Sequence, residues 1–142
     1  MIPEELARAS AFHTHLGPFL VVGLRMGRAV TREFGAAPFT IKIRAHTGLV
    51  PPYSCVVDGI QCSTPCTVGN GGLEVAEPRR MEIVAESGGA TLRVKLRETL
   101  FESIERDCTE ENQETFACRI WEMPEEDVLE VTMKGSVGHD DI

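Results

Sequence analysis

The sequence predicts a single α+β domain in which helices flank an antiparallel sheet. Two short apolar segments, residues 81–85 and 91–96, stand on either side of Ser87-Gly88-Gly89, a combination typical of a β-hairpin. Residues 39–45 alternate apolar and polar side chains, as expected of a strand with one face in water. Strands clustered in hairpins, with helices beside them, favour α+β over a doubly wound sheet.

Helical periodicity places the helices. Pro3 suits a first helical position, and residues 3–11 predict a short first helix. A longer helix is predicted over 18–34, where apolar residues recur at helical spacing and Gly35 suits the end. The remaining predictions are helices over 54–62, 97–106 and 111–121 and strands over 73–75 and 128–133, with Ser54 as a suitable N-cap.

Gly23 and Gly27 lie four residues apart on the long predicted helix. This spacing fits either two tolerated glycines or the close approach of another backbone. Because no internal repeat or interdomain linker interrupts the chain, one core domain is predicted over residues 1–134. The last residues, 135–142, are predicted to form a loose tail.

Composition limits the class of protein. The chain has 142 residues, a hydrophobic content of 42% and a formal net charge of -8 at pH 7. This charge argues against nonspecific binding to nucleic acid or to anionic membranes, which requires clustered cations. No apolar run reaches the roughly 20 residues of a membrane helix, and no signal peptide is predicted. We therefore expect a cytoplasmic protein whose five cysteines are thiols or ligands.

Two segments carry the residues best suited to chemistry. His13-Thr14-His15 lies between the first two predicted helices, and alternate residues of an extended segment would point both imidazoles to one site. The second segment, residues 55–66, contains three of the five cysteines and an aspartate. Imidazole, thiolate and carboxylate are the ligands that suit zinc and other transition metals.

The predicted helix over 54–62 separates its polar and apolar residues. At about 100° per residue, Cys55, Asp58 and Cys62 fall on one stripe. Its apolar residues lie on the opposite, core-facing side: Val56, Val57 and Ile60. The stripe should therefore face a cleft, a loop or a partner subunit, and Cys66 in the following turn could fold back toward it.

Other candidates rank below these. His46 ends the first predicted strand and is a weaker candidate for the same cleft. Cys62 and Cys66 have the spacing of half a zinc knuckle, yet no second pair stands at finger spacing, so a structural zinc finger is not predicted. Cys108 and Cys118 are predicted to be core or surface thiols.

The two segments together resemble the FmdE family, which is named for one of the subunits of tungsten/molybdenum formylmethanofuran dehydrogenase. Residues 12–27, beginning Phe12-His13-Thr14-His15-Leu16-Gly17-Pro18, are similar to the family's opening motif. Residues 55–61 and 64–71 resemble its second motif, Cys-x-x-Asp-[Ala/Gly]-Ile-Gln followed by Thr-Gly-Cys-Thr-x-Gly-Lys-Gly-Asn. The resemblance covers roughly residues 10–100, the core domain of the family, without the C-terminal zinc ribbon that some members carry.

The resemblance implies a cleft that binds a metal or another ligand, and a tendency to form homodimers. Carried over position by position, it indicates His13, His15, Cys55, Asp58 and Cys66. Cys62 has no counterpart in the motif. The chain departs from the family at Pro65, which replaces Gly, and in the glycine-rich turn, where Asn70 and Gly72 replace Lys and Asn.

Three functional hypotheses follow. The first is a divalent metal, most readily zinc and alternatively nickel or iron, held by His13, His15, Cys55 and Cys66, with Asp58 as an orienting or acid/base group. The second is a non-catalytic accessory subunit of a molybdenum or tungsten enzyme. The third is a thiol enzyme with Cys66 as nucleophile and a histidine as base. The substrate and the choice between a catalytic and a structural site stay open.

Overall fold

The structure, a computed structural model, describes residues 2–135. Over that range the chain forms one α+β domain, as predicted. Its helices are α1 (Glu4–His13), α2 (Pro18–Phe34), α3 (Cys55–Ser63), α4 (Glu98–Asp107), α5 (Gln113–Glu122) and α6 (Glu125–Val128), and its strands are β1 (Lys42–His46), β2 (Leu73–Val75), β3 (Glu82–Ser87), β4 (Ala90–Leu96) and β5 (Leu129–Lys134). The predicted tail lies outside the described residues after Gly135.

The five strands form one sheet in the order β2-β1-β3-β4-β5. The pairs β1–β3, β3–β4 and β4–β5 are antiparallel, and the predicted hairpin joins β3 to β4. Only β2 runs parallel to its neighbour β1. This exception has a simple cause, because the chain between β1 and β2 passes through α3 and a parallel neighbour requires such a crossover.

The sheet has one buried face and one charged face. Alternate residues of the three central strands are buried beneath the helices: Ile43, Ala45, Ile83, Ala85, Leu92, Val94 and Leu96. The residues between them point the other way and include Lys42, Arg44 and Arg93, which are exposed. The period of two that predicted a half-wet strand over 39–45 therefore extends across the sheet.

Helices α2 and α3 pack with their backbones in close contact. A Cβ added at Gly59 would come within 2.7 Å of the Gly23 Cα atom, and one added at Gly23 would come within 2.9 Å of the Gly59 Cα atom. Such distances leave no room for a side chain at either position. Close backbone approach is thus the correct choice between the two interpretations of the helical glycines, and it sets the position of α3.

A buried arginine joins α2 to α5. The Arg25 side chain donates hydrogen bonds to the carbonyl oxygens of Ile120 at 2.7 Å, Met123 at 2.8 Å and Trp121 at 3.2 Å. The last carbonyls of a helix have no intrahelical partner, so this guanidinium caps α5. The α4–α5 region, which forms one wall of the cavity described below, is thereby tied to α2.

The structure differs from the predicted elements mainly at their ends. The first strand begins at Lys42, not at residue 39, because Phe39 has a positive φ of 62° and lies in a turn with 79% of its surface exposed. A four-residue helix, α6, lies just before β5 where no helix was predicted. Helix α1 continues to His13, two residues past its predicted end, and this places His13 on a helix.

Replacing Gly59 by Ala is expected to lower the free energy of unfolding by about 1–3 kcal/mol, the usual range for overpacking. The sign is diagnostic, because Gly→Ala in an uncrowded helix interior would raise stability by about 0.5–1 kcal/mol. Equilibrium urea unfolding measures the change. Gly69→Ala is the matched control, since its added methyl group would meet Thr67 Oγ1 at an ordinary 3.8 Å. A stabilised Gly59→Ala variant would contradict the close helix contact.

Candidate metal site

The two histidines of the first motif meet at the end of α1. His13 is the last residue of the helix, and Thr14 follows it in the left-handed conformation with φ 84°. This residue reverses the chain so that the His13 and His15 rings lie 4.5 Å apart between centroids, inclined at 39°. The two imidazoles therefore face one site as predicted, although a helix end and not an extended segment brings them together.

Cys55 completes a group of three ligand atoms. It is the first residue of α3 and is buried, with 7% of its surface exposed. One ligand atom from each of His13, His15 and Cys55 can be chosen so that all three lie within 4.8 Å of one another. Two imidazole nitrogens and one thiolate at this spacing form a group that could hold a transition-metal ion.

Asp58 holds the His13 ring in place. Its Oδ2 lies 2.6 Å from His13 Nδ1, and its Oδ1 accepts a hydrogen bond from Gln61 Nε2 at 3.1 Å. Gln61 is held in turn, because its Oε1 accepts the Val68 N–H at 2.9 Å. A carboxylate beside Nδ1 favours the tautomer with the proton on that nitrogen, so the lone pair is on Nε2.

The free nitrogen of His13 is the strongest sign of a ligand. Nε2 is buried, and among residues 2–135 it has no hydrogen-bond partner. A buried polar atom without a partner is unusual and costly. Metal-binding histidines commonly donate their other ring nitrogen to a carboxylate, and His13 makes that arrangement with Asp58. The residues present therefore fit a metal ion at Nε2.

Burial affects the two other candidate ligands in opposite senses. Burial, and then the neighbouring His13, lower the pKa of His15, which favours the neutral imidazole that binds metals. Burial, and then Asp58, raise the pKa of the Cys55 thiol. Without a cation Cys55 is therefore a thiol, and a bound divalent ion would favour the thiolate.

A cavity of about 200 Å³ opens beside the group. His15 and Cys55 line one end of it, and the start of α2 forms part of its wall. The opposite wall comes from α4, the loop after it and the start of α5, through Ile104, Cys108 and Gln113 among others. A metal held by three side chains would have its remaining position near this cavity, the arrangement typical of catalytic zinc sites.

Cys66 lies apart from the group. The chain becomes extended at Thr64, and the Thr64 hydroxyl accepts the Cys66 N–H at 3.0 Å. This turn directs the Cys66 thiol, which is almost fully buried, to the carbonyl oxygen of Ile41 at 3.4 Å. Cys55 is at the opposite end of α3, so the predicted return of Cys66 to the same site is not what the structure shows.

Two other candidates also lie elsewhere. Cys62 is exposed, and seven residues along a helix place it about 10 Å from Cys55 along the axis. His46 is buried at the end of β1, where the Arg80 guanidinium lies 3.0 Å from its Nδ1. The stripe seen in the sequence is real, but only its first turn reaches the histidines.

Sequence reasoning passed over residues that complete the surroundings. Gln61 supports Asp58 from one turn along α3, and its place three residues after Asp58 within the second motif was an available signal. The cavity wall from residues 104–113 carried no local signal. Only the packing of α4 and α5 against α2 brings those side chains to the site.

The fold and this group define an α+β protein with a partly buried His/His/Cys cluster backed by a carboxylate. The family described as "FmdE, Molybdenum formylmethanofuran dehydrogenase operon" matches residues 12–130. The chain belongs to the FmdE family, as the two motifs had indicated.

A solved structure supports the fold. The crystal structure of an FmdE-like protein of tungsten formylmethanofuran dehydrogenase type from Syntrophus aciditrophicus superposes with a TM-score of 0.69. The match covers 92% of this chain and 70% of that one, at 20% sequence identity. At this identity the likeness concerns the fold alone.

A curated relative matches part of the sequence. It is a probable S-adenosyl-L-methionine-binding protein of Archaeoglobus fulgidus, 33% identical over 70 residues. Those residues make up 48% of this chain and 19% of the relative. The chain thus spans about a fifth of the length of this relative.

Replacing Asp58 by Asn is expected to weaken metal binding by about 10–100-fold, the range observed when a partner behind a ligating histidine is removed. The neutral amide no longer stabilises the Nδ1 proton of His13 as a carboxylate does. Competition with a chromophoric chelator measures the dissociation constant. Asp107→Asn, at an exposed carboxylate at the end of α4, is the control and should change nothing.

Metal binding is also expected to strengthen with pH. Because the pKa of the Cys55 thiol is raised, each bound ion must displace its proton, which costs about tenfold in affinity per pH unit below that pKa. The lowered pKa of His15 keeps that imidazole neutral and adds no further proton in this range. Calorimetry in buffers of different ionisation enthalpy, between about pH 7 and 8.5, counts the released protons. Binding without proton release would contradict Cys55 as a ligand.

Proposed function

We propose that this protein binds one divalent transition metal through His13 Nε2, a ring nitrogen of His15 and Cys55 Sγ. The observation that carries the proposal is the buried, unpartnered Nε2 of His13, with its opposite nitrogen held by Asp58 within the described residues. The other two ligand atoms lie within 4.8 Å of one another and of a nitrogen of this ring. A metal ion accounts for all three features together.

Zinc suits this donor set best. It binds imidazole nitrogen and thiolate sulfur, and a site with three protein ligands keeps a position for another molecule. Nickel and iron accept the same donors, so the geometry favours a class of ions and zinc first within it. When bound, the ion would act as a Lewis acid toward whatever occupies its remaining position.

The chain's own residues would do the rest. Asp58 orients His13 through Nδ1 and stays hydrogen-bonded to Gln61, so we assign it a positioning role in preference to acid/base chemistry. Cys55 supplies the negative charge of the site once its proton has left. The adjacent cavity admits a small molecule to the metal and limits the water around it.

The three hypotheses from the sequence are not equally supported. A thiol enzyme using Cys66 has less support, because burial raises the pKa of this thiol and its Sγ–H donates to the Ile41 carbonyl. No hydrogen bond joins Cys66 to a histidine in the part of the chain that the structure describes. A nucleophilic cysteine instead requires a base nearby and a lowered pKa.

An association with the subunits of a larger enzyme is the second candidate. The family takes its description from a molybdenum formylmethanofuran dehydrogenase operon, which suggests such partners and a role in that metabolism. Two apolar side chains near the cavity, Leu49 and Val50, are 74% and 68% exposed. Co-purification with molybdenum or tungsten enzyme subunits tests this association, and light scattering tests the expected homodimer.

Within residues 2–135 the structure contains no helix long and apolar enough to cross a bilayer. We propose a cytoplasmic location, for which the reducing environment would keep Cys55 available as a ligand. Cell fractionation with a tagged chain tests it.

Metal content decides the ligand set. We expect about one equivalent of metal in protein purified without oxygen or chelators, measured by plasma mass spectrometry. His15→Ala and Cys55→Ser should lose it, whereas Cys66→Ser should retain it. Loss in Cys66→Ser with retention in Cys55→Ser would overturn the assignment and restore the ligand predicted from the sequence. Anomalous scattering at the metal edges of a crystal would identify the element and its ligands together.

A further inference from the structure

The cavity beside the His/Cys group has walls of two chemical kinds. The first wall is apolar and consists of Pro18, Phe19, Leu20, Pro52 and Ile104. The second wall, beyond the metal end, carries side chains that accept or donate hydrogen bonds: Glu105, Thr109, Glu110 and Gln113. A molecule in the cavity would meet the metal at one end and this polar wall at the other.

The polar wall carries charge of one sign. Glu105 and Glu110 are its two charged side chains, and none of the described lining residues is a lysine or arginine. The Tyr53 hydroxyl donates to Glu105 Oε1 at 2.7 Å and thereby holds this carboxylate at the rim. The Arg79 guanidinium lies 3.8 Å from the Tyr53 ring centroid, yet Arg79 is not among the lining residues.

The size of the cavity limits what can enter. Its volume is about 200 Å³, and a water molecule occupies about 30 Å³ of liquid. The space therefore corresponds to about six or seven waters, below the roughly 300–1,000 Å³ of pockets for drug-sized ligands. A short molecule fits, whereas a large cofactor would extend outside.

We propose that the cavity selects small bipolar molecules, with a metal-coordinating atom at one end and a cationic, N–H-bearing group at the other. An aminothiol or a small amino acid has this chemistry. The inference rests on the proposed function, because the metal at His13, His15 and Cys55 would hold the first end. Glu105 and Glu110 would recognise the second end.

Charge complementarity gives the preference. A divalent ion with one thiolate leaves a net charge of +1 at the metal end, which attracts an anionic head group. A carboxylate tail would face Glu105 and Glu110, whereas an ammonium tail would be attracted to them. Both glutamates are exposed, so solvent screens the effect, and we expect about a five- to tenfold discrimination for each unit of tail charge.

Three probes with the same thiol head separate the effect of the tail. They are 2-aminoethanethiol, 2-mercaptoethanol and mercaptoacetate, whose tails are cationic, neutral and anionic. Each is titrated into the full chain loaded with cobalt(II), and thiolate-to-cobalt absorption reports binding at the metal. We expect affinity to fall in the order ammonium, hydroxyl, carboxylate, with the ammonium probe at least tenfold tighter than the carboxylate probe.

Charge-neutral variants of the wall test its role. In Glu105→Gln/Glu110→Gln the ratio of the two extreme affinities should fall to within about threefold, because glutamine keeps the shape and removes the charge. The single variant Glu110→Gln should give an intermediate ratio. Glu114→Gln, at an exposed residue of α5 that does not line the cavity, is the control and should keep the wild-type order. Circular dichroism establishes that each variant is folded.

The outcomes distinguish this inference from the proposed function. If the wild-type chain binds neither cobalt nor zinc, the proposed function fails and this inference fails with it. If the metal binds but mercaptoacetate binds as tightly as 2-aminoethanethiol, only the inference is overturned. An unchanged affinity ratio in the double variant also overturns it, because recognition would then not come from the two glutamates.

Discussion

The backbone contact between α2 and α3 is the constraint on which the candidate site depends. Gly23 and Gly59 approach so closely that neither position has room for a Cβ atom. Helix α2 begins three residues after His15, and the first turn of α3 carries Cys55 and Asp58. A side chain at either glycine would separate the two helices and move the thiol and the carboxylate away from the histidines.

Three kinds of interaction then turn this proximity into a site. The left-handed Thr14 brings the two imidazoles together at the end of α1. Asp58 orients His13 so that its free nitrogen faces the other ligands, and Gln61 keeps Asp58 in position. None of these residues except His13 is a proposed ligand, so much of the geometry depends on side chains that would not touch the metal.

The cavity shows why a metal ligand set does not by itself identify a reaction. The histidines and Cys55 would supply only one end of a binding site, and α4 and α5 supply the other. Arg25 ties α5 to α2 by capping its last turn, so the distance between the two walls follows from buried hydrogen bonds. The class of molecule that enters is therefore a property of the packing of these helices and of the charge of Glu105 and Glu110.

The sequence by itself determined the fold class, most helices and strands, and the family. Periodicity and turn residues act over a few neighbours, and the two motifs retain their order and spacing without any fold. Element ends were less well predicted, as at Phe39, where a positive φ forms a turn in a segment whose alternation indicates a strand. The α6 helix, of four residues, is too short to show a period.

Only the tertiary structure decided which members of the motifs meet. The helical stripe predicted Cys55, Asp58 and Cys62 as one set, yet α3 is long enough to carry Cys62 away from the histidines. The turn at Thr64 then directs Cys66 to the carbonyl of Ile41. A sequence motif records which residues lie near one another along the chain, whereas a metal site requires atoms within a few ångströms of one another. That distance is set by helix length, by caps and by the two glycines that let α2 and α3 touch.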